Sequence, residues 1–529
     1  MDLFVPKFIR YQLYLLQLEN YELGRYWKLL IKKGIFPKKS QPLRKELVWT
    51  AKARALMLMA VALHGLFVIL AGLSALSFKP GLDNFFTAVI FAVLILLPFY
   101  FVFFSLALLV LKPLDSLAKN QLIRKARAKI ERLEQPMNRH TTGGQTDAKG
   151  LKIIGVAGSY GKTTMKEVLR QVLSIKYKVL STPESVNTPV GIARWILNKV
   201  TDETQILVVE MGEHYENDIK DICEIAKPDI AVVTGINESH LERMKKMDTV
   251  IATVFEIVSN SKPGALVVLN ADDRNVMENY KKFVWPDHKV IEYKVSSIKY
   301  KVFDIEKLCW SFEVDDIGKV DVNLLGEYAL GDVDAAVKIG QSLAMSNEQI
   351  IAGIKNIKPV EHRLQPIVNS ATGVLVIDDS YNGNSDGVAE AIKVLSRFKN
   401  RRKIYITPGL VEIGKSSADI HRGIGKLLAG VADVVILIKN SVTPWIVEGL
   451  SSSGVILRPQ CNSEAEESQT NGKEILRRSD ALTAQDDAVS KKPQIIWFNS
   501  ALEAHAGLKD ILKPGDVILF QNDWGDQYL

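Results

Sequence analysis

Two long apolar runs dominate the first quarter of the chain. One covers residues 55–78 and the other residues 85–111, and neither contains Asp, Glu, Lys or Arg. Each is longer than the ~20 residues with which a helix crosses the hydrocarbon core of a bilayer. The pattern predicts a two-helix transmembrane hairpin over residues 55–111, and a buried hairpin in a soluble protein is the alternative.

Residues 1–54 have a mixed pattern. Between Phe8 and Gly34, Tyr, Trp and Leu are interleaved with Lys and Arg at helical spacing. This is typical of an amphipathic helix that lies in a membrane interface. A small helical unit that binds a partner is the alternative.

From Leu151 onward, short β-branched runs alternate with helix-like segments. "KIIGVAG", "QILVVEMG" and "DIAVVTGI" belong to a first series, and "GVLVIDDSYN", "KIYITPGL" and "ADVVILI" belong to a second series that begins near Pro359. Alternation of this kind predicts mostly parallel sheets covered by helices, and therefore two α/β domains. Residues 112–150 are predicted to form a basic helix and a linker that precede these two domains. The polar residues 461–492 predict a disordered insertion or a long surface loop without an assigned role.

Positive charge is concentrated on both sides of the predicted hairpin. The net charge is +7, and the connecting loop, residues 79–84, carries one Lys and one Asp. By the positive-inside rule both flanks are cytoplasmic. We therefore expect a multi-pass protein of the cytoplasmic membrane whose soluble domains face the cytoplasm. Anionic lipid, rather than nucleic acid, is the expected partner of the flanking charges, which are Lys38, Lys39, Arg44, Lys45, Lys52 and Arg54 before the hairpin and Lys112, Lys119, Arg124, Lys125, Arg127 and Lys129 after it.

Length and cysteine content narrow the class of protein. At 529 residues the chain is too long for one core. Cys223, Cys309 and Cys461 are widely spaced and form no CxxC pair. The sequence therefore indicates neither a disulfide framework nor a zinc site, and it fits a reducing compartment.

The segment "GVAGSYGKTT" indicates a phosphate site. A buried strand turns through Gly158, Ser159 and Gly161 into a helix that begins with Lys162, Thr163 and Thr164. Backbone N–H groups of such a turn can surround phosphate oxygens, Lys162 can reach the outer phosphates, and the Thr163 hydroxyl can bind Mg²⁺. Val156 occupies the position of the first glycine of a complete Walker motif, so an ordinary strand-to-helix turn is the alternative.

Further polar groups fall at predicted strand ends. Glu210 ends "QILVVEMG", and His240 follows "DIAVVTGINES". Open α/β sheets place their ligands at this edge. With Thr163 and phosphate oxygens, these two side chains would form a plausible Mg²⁺ site.

Eight motifs, taken in order, resemble those of the Mur ligase family: "GSYGKTT", "ESVNTPVG", "VVEMG", "GINESHLE", "LNADD", "EHRLQPI", "VIDDSYNGNSDG" and "PGLVEIG". The resemblance runs from about Leu151 to the C-terminus, apart from the polar insertion. It implies an α/β fold with a P-loop-like central ATPase domain over residues 151–358 and a Rossmann-like C-terminal domain over residues 359–529. It also implies an ATP-dependent amide ligation in peptidoglycan precursor synthesis. "DDSYNGN" and "PGLVEIG" are most similar to members that add D-Ala-D-Ala to a muramoyl tripeptide.

The resemblance assigns roles to individual residues. It implies that Lys162 binds the β- and γ-phosphates of ATP, that Asn187 lies near the metal and the γ-phosphate, and that Asp332 lies near the adenine. The implied Mg²⁺ ligands are Thr163, Glu210 and His240. From the C-terminal domain, Arg363 would close onto the phosphates and Asp379 would bind the ribose, with Asn382 nearby.

The chain also departs from the family pattern. A membrane hairpin takes the place of the usual N-terminal domain that binds the UDP end of the precursor. Val254 stands where the family commonly has a lysine that can bridge a second Mg²⁺. Ala329 and Asp332 replace two asparagines of the motif near the adenine, and Gln521-Asn522-Asp523 replace the family's C-terminal "KGS"-like motif.

These departures leave two alternatives open. One is a related ligase or amidating subunit that acts on a lipid-linked precursor, and the other is a catalytically degenerate ATP-binding scaffold that recruits other cell-wall enzymes to the membrane. Whether the acceptor is UDP-linked or lipid-linked, its third residue and the oligomeric state stay open at the level of sequence.

Overall fold

The computed structural model describes residues 5–37, 47–78, 81–135, 139–140, 146–147, 150–451 and 492–522, with residues 185, 214, 240, 297, 299, 316, 382, 412, 414 and 415 excepted. His240 and Asn382, both predicted site residues, lie outside the described residues, as does nearly all of the predicted insertion. The chain divides into two compact units, of which the first ends at Gln121 and the second begins at Leu122.

The first unit is helical. A 3₁₀ turn at Leu97–Phe99 separates the last two of its helices, and the final helix continues into the second unit. The helices are α1 (Lys7–Leu18), α2 (Leu23–Lys33), α3 (Ala51–Phe78), α4 (Leu82–Leu96) and α5 (Tyr100–Glu134). Where the sequence pattern predicts one amphipathic helix there are two, because Asn20 and Tyr21 adopt φ of 51° and 64° between them.

α1 and α2 share a core with α3 and α5. Leu13, Leu16, Tyr26 and Phe104 are fully buried in this core. Much of the apolar face of α1 is therefore covered by the other helices of its own unit.

Two helical regions are long and apolar enough to cross a membrane. They are Ala51–Ser77 and Leu82–Glu134, and the second includes the 3₁₀ turn. Large apolar side chains such as Leu70, Phe91 and Leu94 are exposed on them. By length and composition, these regions fit the predicted hairpin.

The middle domain is built on a parallel sheet. Its strands are β3 (Lys152–Ala157), β4 (Val179–Ser181), β5 (Ile206–Glu210), β6 (Ile230–Val233), β7 (Leu266–Asn270) and β8 (Lys289–Tyr293), preceded by the short pair β1 (Arg139–His140) and β2 (Thr146–Asp147). The six strands lie in the order β4-β5-β3-β6-β7-β8. Its helices are α6 (Lys162–Leu173), α7 (Pro189–Lys199), α8 (Asp218–Ile225), α9 (Leu241–Met244), α10 (Met247–Ser259) and α11 (Arg274–Asn279).

Local sequence explains these elements. Every residue of β5 and β6 is buried, as expected for continuous apolar strands covered on both faces. The Thr188 side chain caps α7, and Pro189 occupies the first helical turn. On one face of the sheet, Ala126, Ile130 and Leu133 from the end of α5 join the core.

A small antiparallel sheet completes the middle domain. Its strands, in the order β11-β10-β9, are β9 (Lys301–Asp304), β10 (Cys309–Val314) and β11 (Gly318–Val322). The helices α12 (Ala329–Ser342) and α13 (Asn347–Lys355) follow it and pack against α6. They bring Asp332 to the side of the sheet on which α6 lies.

The C-terminal domain has a second six-stranded sheet. Its strands are β12 (Gln365–Val368), β13 (Leu375–Asp379), β14 (Lys403–Thr407), β15 (Val434–Ile438), β16 (Gln494–Phe498) and β17 (Val517–Gln521), with helices α14 (Ser385–Ser396), α15 (Ser417–Ala429), α16 (Thr443–Ser451) and α17 (Ala501–Ile511). The order is β12-β13-β17-β14-β15-β16, and only β12 among these strands is antiparallel to its neighbour. The predicted α/β class is confirmed.

Candidate functional site

The turn after β3 is shaped to approach an anion closely. Gly158 has φ of 147°, and a Cβ there would lie 2.2 Å from Thr234 Oγ1, so a side chain does not fit. Gly161 has φ of 81° and precedes α6, and no side chain caps that helix. The first N–H groups of α6 therefore have no intrahelical or capping partner and are available to phosphate oxygens. The Ser159 hydroxyl is buried and has no hydrogen-bond partner among the described residues.

A buried hydrogen-bond network fixes this turn to the ends of the neighbouring strands. Ser159 N donates to Gly235 O at 2.6 Å, and the Tyr160 hydroxyl donates to Asp273 Oδ2 at 2.7 Å. Asp273 also accepts a hydrogen bond from Ile236 N at 3.0 Å. Burial raises the pKa of Asp273, and the Tyr160 hydrogen bond opposes that shift. The sequence analysis identified "LNADD" as a motif but did not predict that Asp273 would hold the turn in place through hydrogen bonds.

Lys162 is paired with a carboxylate that the sequence analysis did not identify. Its Nζ lies 2.9 Å from both oxygens of Glu213 and also donates to Gly158 O. The Glu213 side chain is fully buried, and that of Lys162 is 12% exposed. The predicted phosphate-binding cation is thus already neutralised within the protein.

Glu210 lies where the sequence predicts, at the end of β5. Its Oε2 accepts a hydrogen bond from Thr163 Oγ1 at 3.2 Å, and Asn187 Nδ2 lies 3.5 Å from its Oε1. Fully buried Lys166, another residue that sequence reasoning missed, lies 3.2 Å from the same Oε2. Three predicted residues, Thr163, Asn187 and Glu210, are therefore brought together.

The donor set in this place suits Mg²⁺. Mg²⁺ prefers oxygen ligands and is usually held by one or two carboxylates together with substrate phosphates and water. Adjacent Thr163 and Glu210 supply a hydroxyl and a carboxylate oxygen. Within the described part of the chain, no group of three or more His, Cys, Asp or Glu side chains could hold a metal ion by itself.

Val254 contributes nothing polar to this site. It lies in α10 and is fully buried in the apolar core. The position of the family's usual lysine is therefore part of the hydrophobic packing in this chain.

Arg363 and Asp379 lie together in the C-terminal domain. Arg363 donates to Tyr381 O, and its guanidinium is 4.8 Å from the centre of the Tyr381 ring. Asp379 accepts from Leu364 N at 3.2 Å and from Gln521 Nε2 at 2.8 Å. Burial raises the pKa of Asp379, and the charge of Arg363 opposes the shift.

Tyr328 links the predicted residues of the two domains. Burial raises its pKa, the Asp379 charge raises it further, and a hydrogen bond with Thr164 together with the Arg363 charge lowers it. The Tyr328 hydroxyl thus interacts with Thr164 at the start of α6 and is sensitive to the charges of Arg363 and Asp379 in the C-terminal domain. Sequence reasoning assigned no role to Tyr328.

Asp332 is buried in the first turn of α12, and no ion pair joins it to any of the described residues. Its Oδ2 has no hydrogen-bond partner among the described residues, and burial raises its pKa well above the usual range. Ala329, one turn earlier, is almost fully buried. A carboxyl oxygen that lacks a partner is available to a ligand.

A second set of hydrogen bonds joins the domains. Asn237 Nδ2 donates to Asp386 Oδ2 at 2.9 Å and to Asn384 Oδ1 at 3.3 Å. The Ser385 hydroxyl donates to Glu238 Oε1. The loop after β6 is therefore bonded to the N-terminal end of α14.

Comparisons with known proteins agree with this architecture. Residues 156–339 match the Mur ligase middle domain, and residues 362–521 match the Mur ligase glutamate ligase domain. A crystal structure of the MurF ligase of Thermotoga maritima in complex with ADP has the same fold, with a TM-score of 0.59 and 24% identity over 77% of this chain and 80% of that chain.

Relatives in two mycobacteria carry one name, UDP-N-acetylmuramoyl-tripeptide–D-alanyl-D-alanine ligase. That of Mycobacterium tuberculosis (strain CDC 1551) is 26% identical over 384 residues, which is 71% of each chain. That of Mycobacterium bovis is 27% identical over 292 residues, which is 54% of this chain and 57% of the relative. The chain thus spans just over two thirds of the first relative and less than two thirds of the second. With both of its α/β domains matched, the chain belongs to the Mur ligase family of ATP-dependent amide ligases.

Proposed function

We propose that this protein adds D-Ala-D-Ala to a muramoyl tripeptide at the cytoplasmic face of the membrane, with ATP as the energy source. The name shared by its relatives supports the substrate class. The observation that carries the proposal is the convergence of Lys162, Thr163 and Glu210 at the end of the middle sheet, with Tyr328 linking them to Arg363.

In this proposal the phosphates of ATP lie on the turn after β3. The uncapped start of α6 offers N–H groups, and Lys162 exchanges its Glu213 partner for the β- and γ-phosphate oxygens. Ser159, Gly158 and Gly161 line the turn, and Thr164 is held by Tyr328.

Mg²⁺ would be held by Thr163 and Glu210, and His240 is the third proposed ligand. When bound, the cation neutralises phosphate charge. Asn187 lies beside the Glu210 carboxylate and would be near the γ-phosphate. Lys166 would keep the carboxylate of Glu210 turned toward α6.

The rest of the nucleotide would be held by the second domain and by α12. Arg363 would contact the phosphates, Asp379 the ribose hydroxyls with Asn382 nearby, and Asp332 the adenine amino group. The Oδ2 atom of Asp332 has no hydrogen-bond partner within the described part of the chain, which supports the last role.

The proposed reaction has two steps. The tripeptide carboxylate attacks the γ-phosphorus of ATP, which gives an acyl phosphate and ADP. The amine of D-Ala-D-Ala then attacks the acyl carbon, and inorganic phosphate leaves as the amide bond forms. Lys162 and Arg363 would stabilise the negative charge on the transferred phosphoryl group, since positioning and electrostatics supply most of the catalysis in such reactions.

The apolar helices would anchor the enzyme in the cytoplasmic membrane. The two regions of sufficient length support this, as do the basic residues on both flanks. The bilayer is then a partner, and other cell-wall enzymes are a further partner class.

Phosphate release by the detergent-solubilised full-length protein tests the function. We expect release to require ATP, Mg²⁺, a muramoyl tripeptide and D-Ala-D-Ala together, and the ligated pentapeptide product to be visible by mass spectrometry. UDP-linked and lipid-linked acceptors are supplied in separate reactions. Absence of product with both acceptors would contradict the proposal.

A second candidate is a degenerate ATP-binding scaffold. Val254, buried among apolar side chains, and Ala329 favour it, because the family's polar groups at those two positions are missing. A scaffold would bind ATP and retain other cell-wall enzymes at the membrane without forming product, so the same assay separates the two candidates.

A further inference from the structure

Glu213 is a buried charge that loses its partner Lys162 in the proposed reaction and is given no other part in it. It lies in the loop after β5, three residues beyond Glu210, and both of its oxygens are 2.9 Å from Lys162 Nζ. Its side chain has no exposed surface. The Glu213 carboxylate is therefore already paired with Lys162, the cation to which the nucleotide phosphates would bind.

The surrounding charges are already balanced without a nucleotide. Lys162 is matched by Glu213, and fully buried Lys166 is matched by Glu210 at 3.2 Å. Glu167 lies 3.7 Å from Lys166 but is itself matched by Arg170 at 2.8 Å. Phosphates entering this site meet two carboxylates as well as two ammonium groups. Because Glu213 is shielded from water, its repulsion of a phosphate is weakly screened. A divalent cation bound with the nucleotide restores the balance.

We propose that Glu213 is a positioning residue: it holds Lys162 in the empty site and makes tight binding of nucleotide phosphates depend on Mg²⁺. On binding, Lys162 exchanges a carboxylate for phosphate oxygens, and the released charge of Glu213 is compensated by the metal. The proposal rests on the proposed function in so far as the ligand is ATP or ADP.

The test is calorimetric and needs no turnover. ADP is titrated into the full-length protein in detergent, once with Mg²⁺ and once with EDTA, and the ratio of the two dissociation constants is compared among variants. We expect the wild type to bind ADP at least tenfold more weakly in EDTA. Glu213→Gln, which keeps the shape and removes the charge, should tighten metal-free binding at least tenfold and change binding with Mg²⁺ less than threefold. Glu213→Asp should keep the wild-type ratio.

Glu203→Gln is the matched control. Glu203 forms the same kind of pair, 2.9 Å from Lys178, but both side chains are largely exposed. The ratio of the ADP dissociation constants in EDTA and in Mg²⁺ should be the same for Glu203→Gln as for the wild type. Thermal unfolding of each variant reports whether the fold is retained.

Two results would overturn the proposal. If Glu213→Gln weakens binding equally with and without Mg²⁺, Glu213 only supports the structure. If the wild type binds ADP equally well with Mg²⁺ and with EDTA, the proposal fails whether or not the variant folds. Absence of ADP binding to the wild type in both conditions would contradict the proposed function itself.

Discussion

The carboxylate of Glu327 in the middle domain lies 2.6 Å from the ammonium of Lys393 on α14 of the C-terminal domain. Lys301 lies at the same distance from the other carboxylate oxygen, and Arg397 is 3.3 Å away. This largely buried carboxylate thus pairs with three cations, of which Lys301 belongs to its own domain while Lys393 and Arg397 belong to the C-terminal domain.

This cluster predicts an acid-sensitive contribution to stability. Burial alone would raise the pKa of Glu327, but the hydrogen bonds from Lys301 and Lys393 outweigh burial and lower the pKa from 4.5 to about 2. The folded-state pKa is depressed, so the stabilisation is present above the unfolded pKa and is lost as the pH falls toward 2. We expect Glu327→Gln to cost on the order of 2–3 kcal/mol at pH 7 and little near pH 2.

Chemical unfolding of wild type and variant across this pH range is the measurement. Glu278→Gln, which removes an exposed pair with Arg274, serves as control and should change stability by less than about 0.5 kcal/mol. A constant difference between wild type and Glu327→Gln over the whole range would contradict the assignment.

Lys162→Ala should abolish turnover and leave membrane insertion unchanged. The lysine is the cation nearest the turn, and loss of such a group costs roughly 10²- to 10³-fold or more in kcat. Phosphate release and membrane fractionation are measured on the same preparation. Lys178→Ala, which changes a largely exposed lysine, is the control. Activity retained within tenfold would rule out the phosphate role of Lys162.

Gly158→Ala should impair both folding and nucleotide binding. The new Cβ would lie 2.2 Å from Thr234 Oγ1 and 2.9 Å from Gly235 N, and φ is 147°. We expect a loss of about 1–3 kcal/mol in the free energy of unfolding. Gly430→Ala is the matched control, because Gly430 has φ of −92° and a Cβ added there would meet no atom within 4 Å. Equal stability of the two variants would show that the turn after β3 tolerates a side chain.

The hairpin predicts opposite sides for two engineered cysteines. In a background with Cys223, Cys309 and Cys461 replaced by Ser, Gly81→Cys should react with a membrane-impermeant maleimide in intact cells. Glu203→Cys should react only after lysis, because the proposed orientation places the domains after the hairpin in the cytoplasm. Labelling of Glu203→Cys in intact cells would reverse the orientation, and extraction of the chain by alkaline carbonate would exclude the hairpin.

Sequence patterns predicted the parts of this protein that depend on local periodicity. Parallel strands buried on both faces appear as apolar runs, so β5 and its terminal Glu210 could be located, and the turn with Gly158 is indicated by its glycines. The contacts of Glu213 and Lys166 could not be predicted in this way. A charged residue in a loop or a helix is usually solvated, and only the packing of α6 beside the end of β5 makes these two side chains buried partners of the site.

The same limit applies to the first unit. The helical spacing of apolar residues continues across residues 8–34. Such a periodic pattern does not reveal where one helix ends and the chain turns back into the next. Asn20 tolerates a positive φ better than most residues, but Tyr21 does not, so the break between α1 and α2 depends on the packing of both helices into one core.

The loop after β6 precedes a proposed metal ligand and also connects the middle domain to the C-terminal domain. Asn237 and Glu238 hold the start of α14, and they precede the proposed metal ligand His240 by three and two positions in the sequence. A force on α14 is therefore transmitted to the backbone that directly precedes the proposed metal ligand. Substitutions in this loop should alter the geometry of the domains and the reactivity of the site together, as one phenotype.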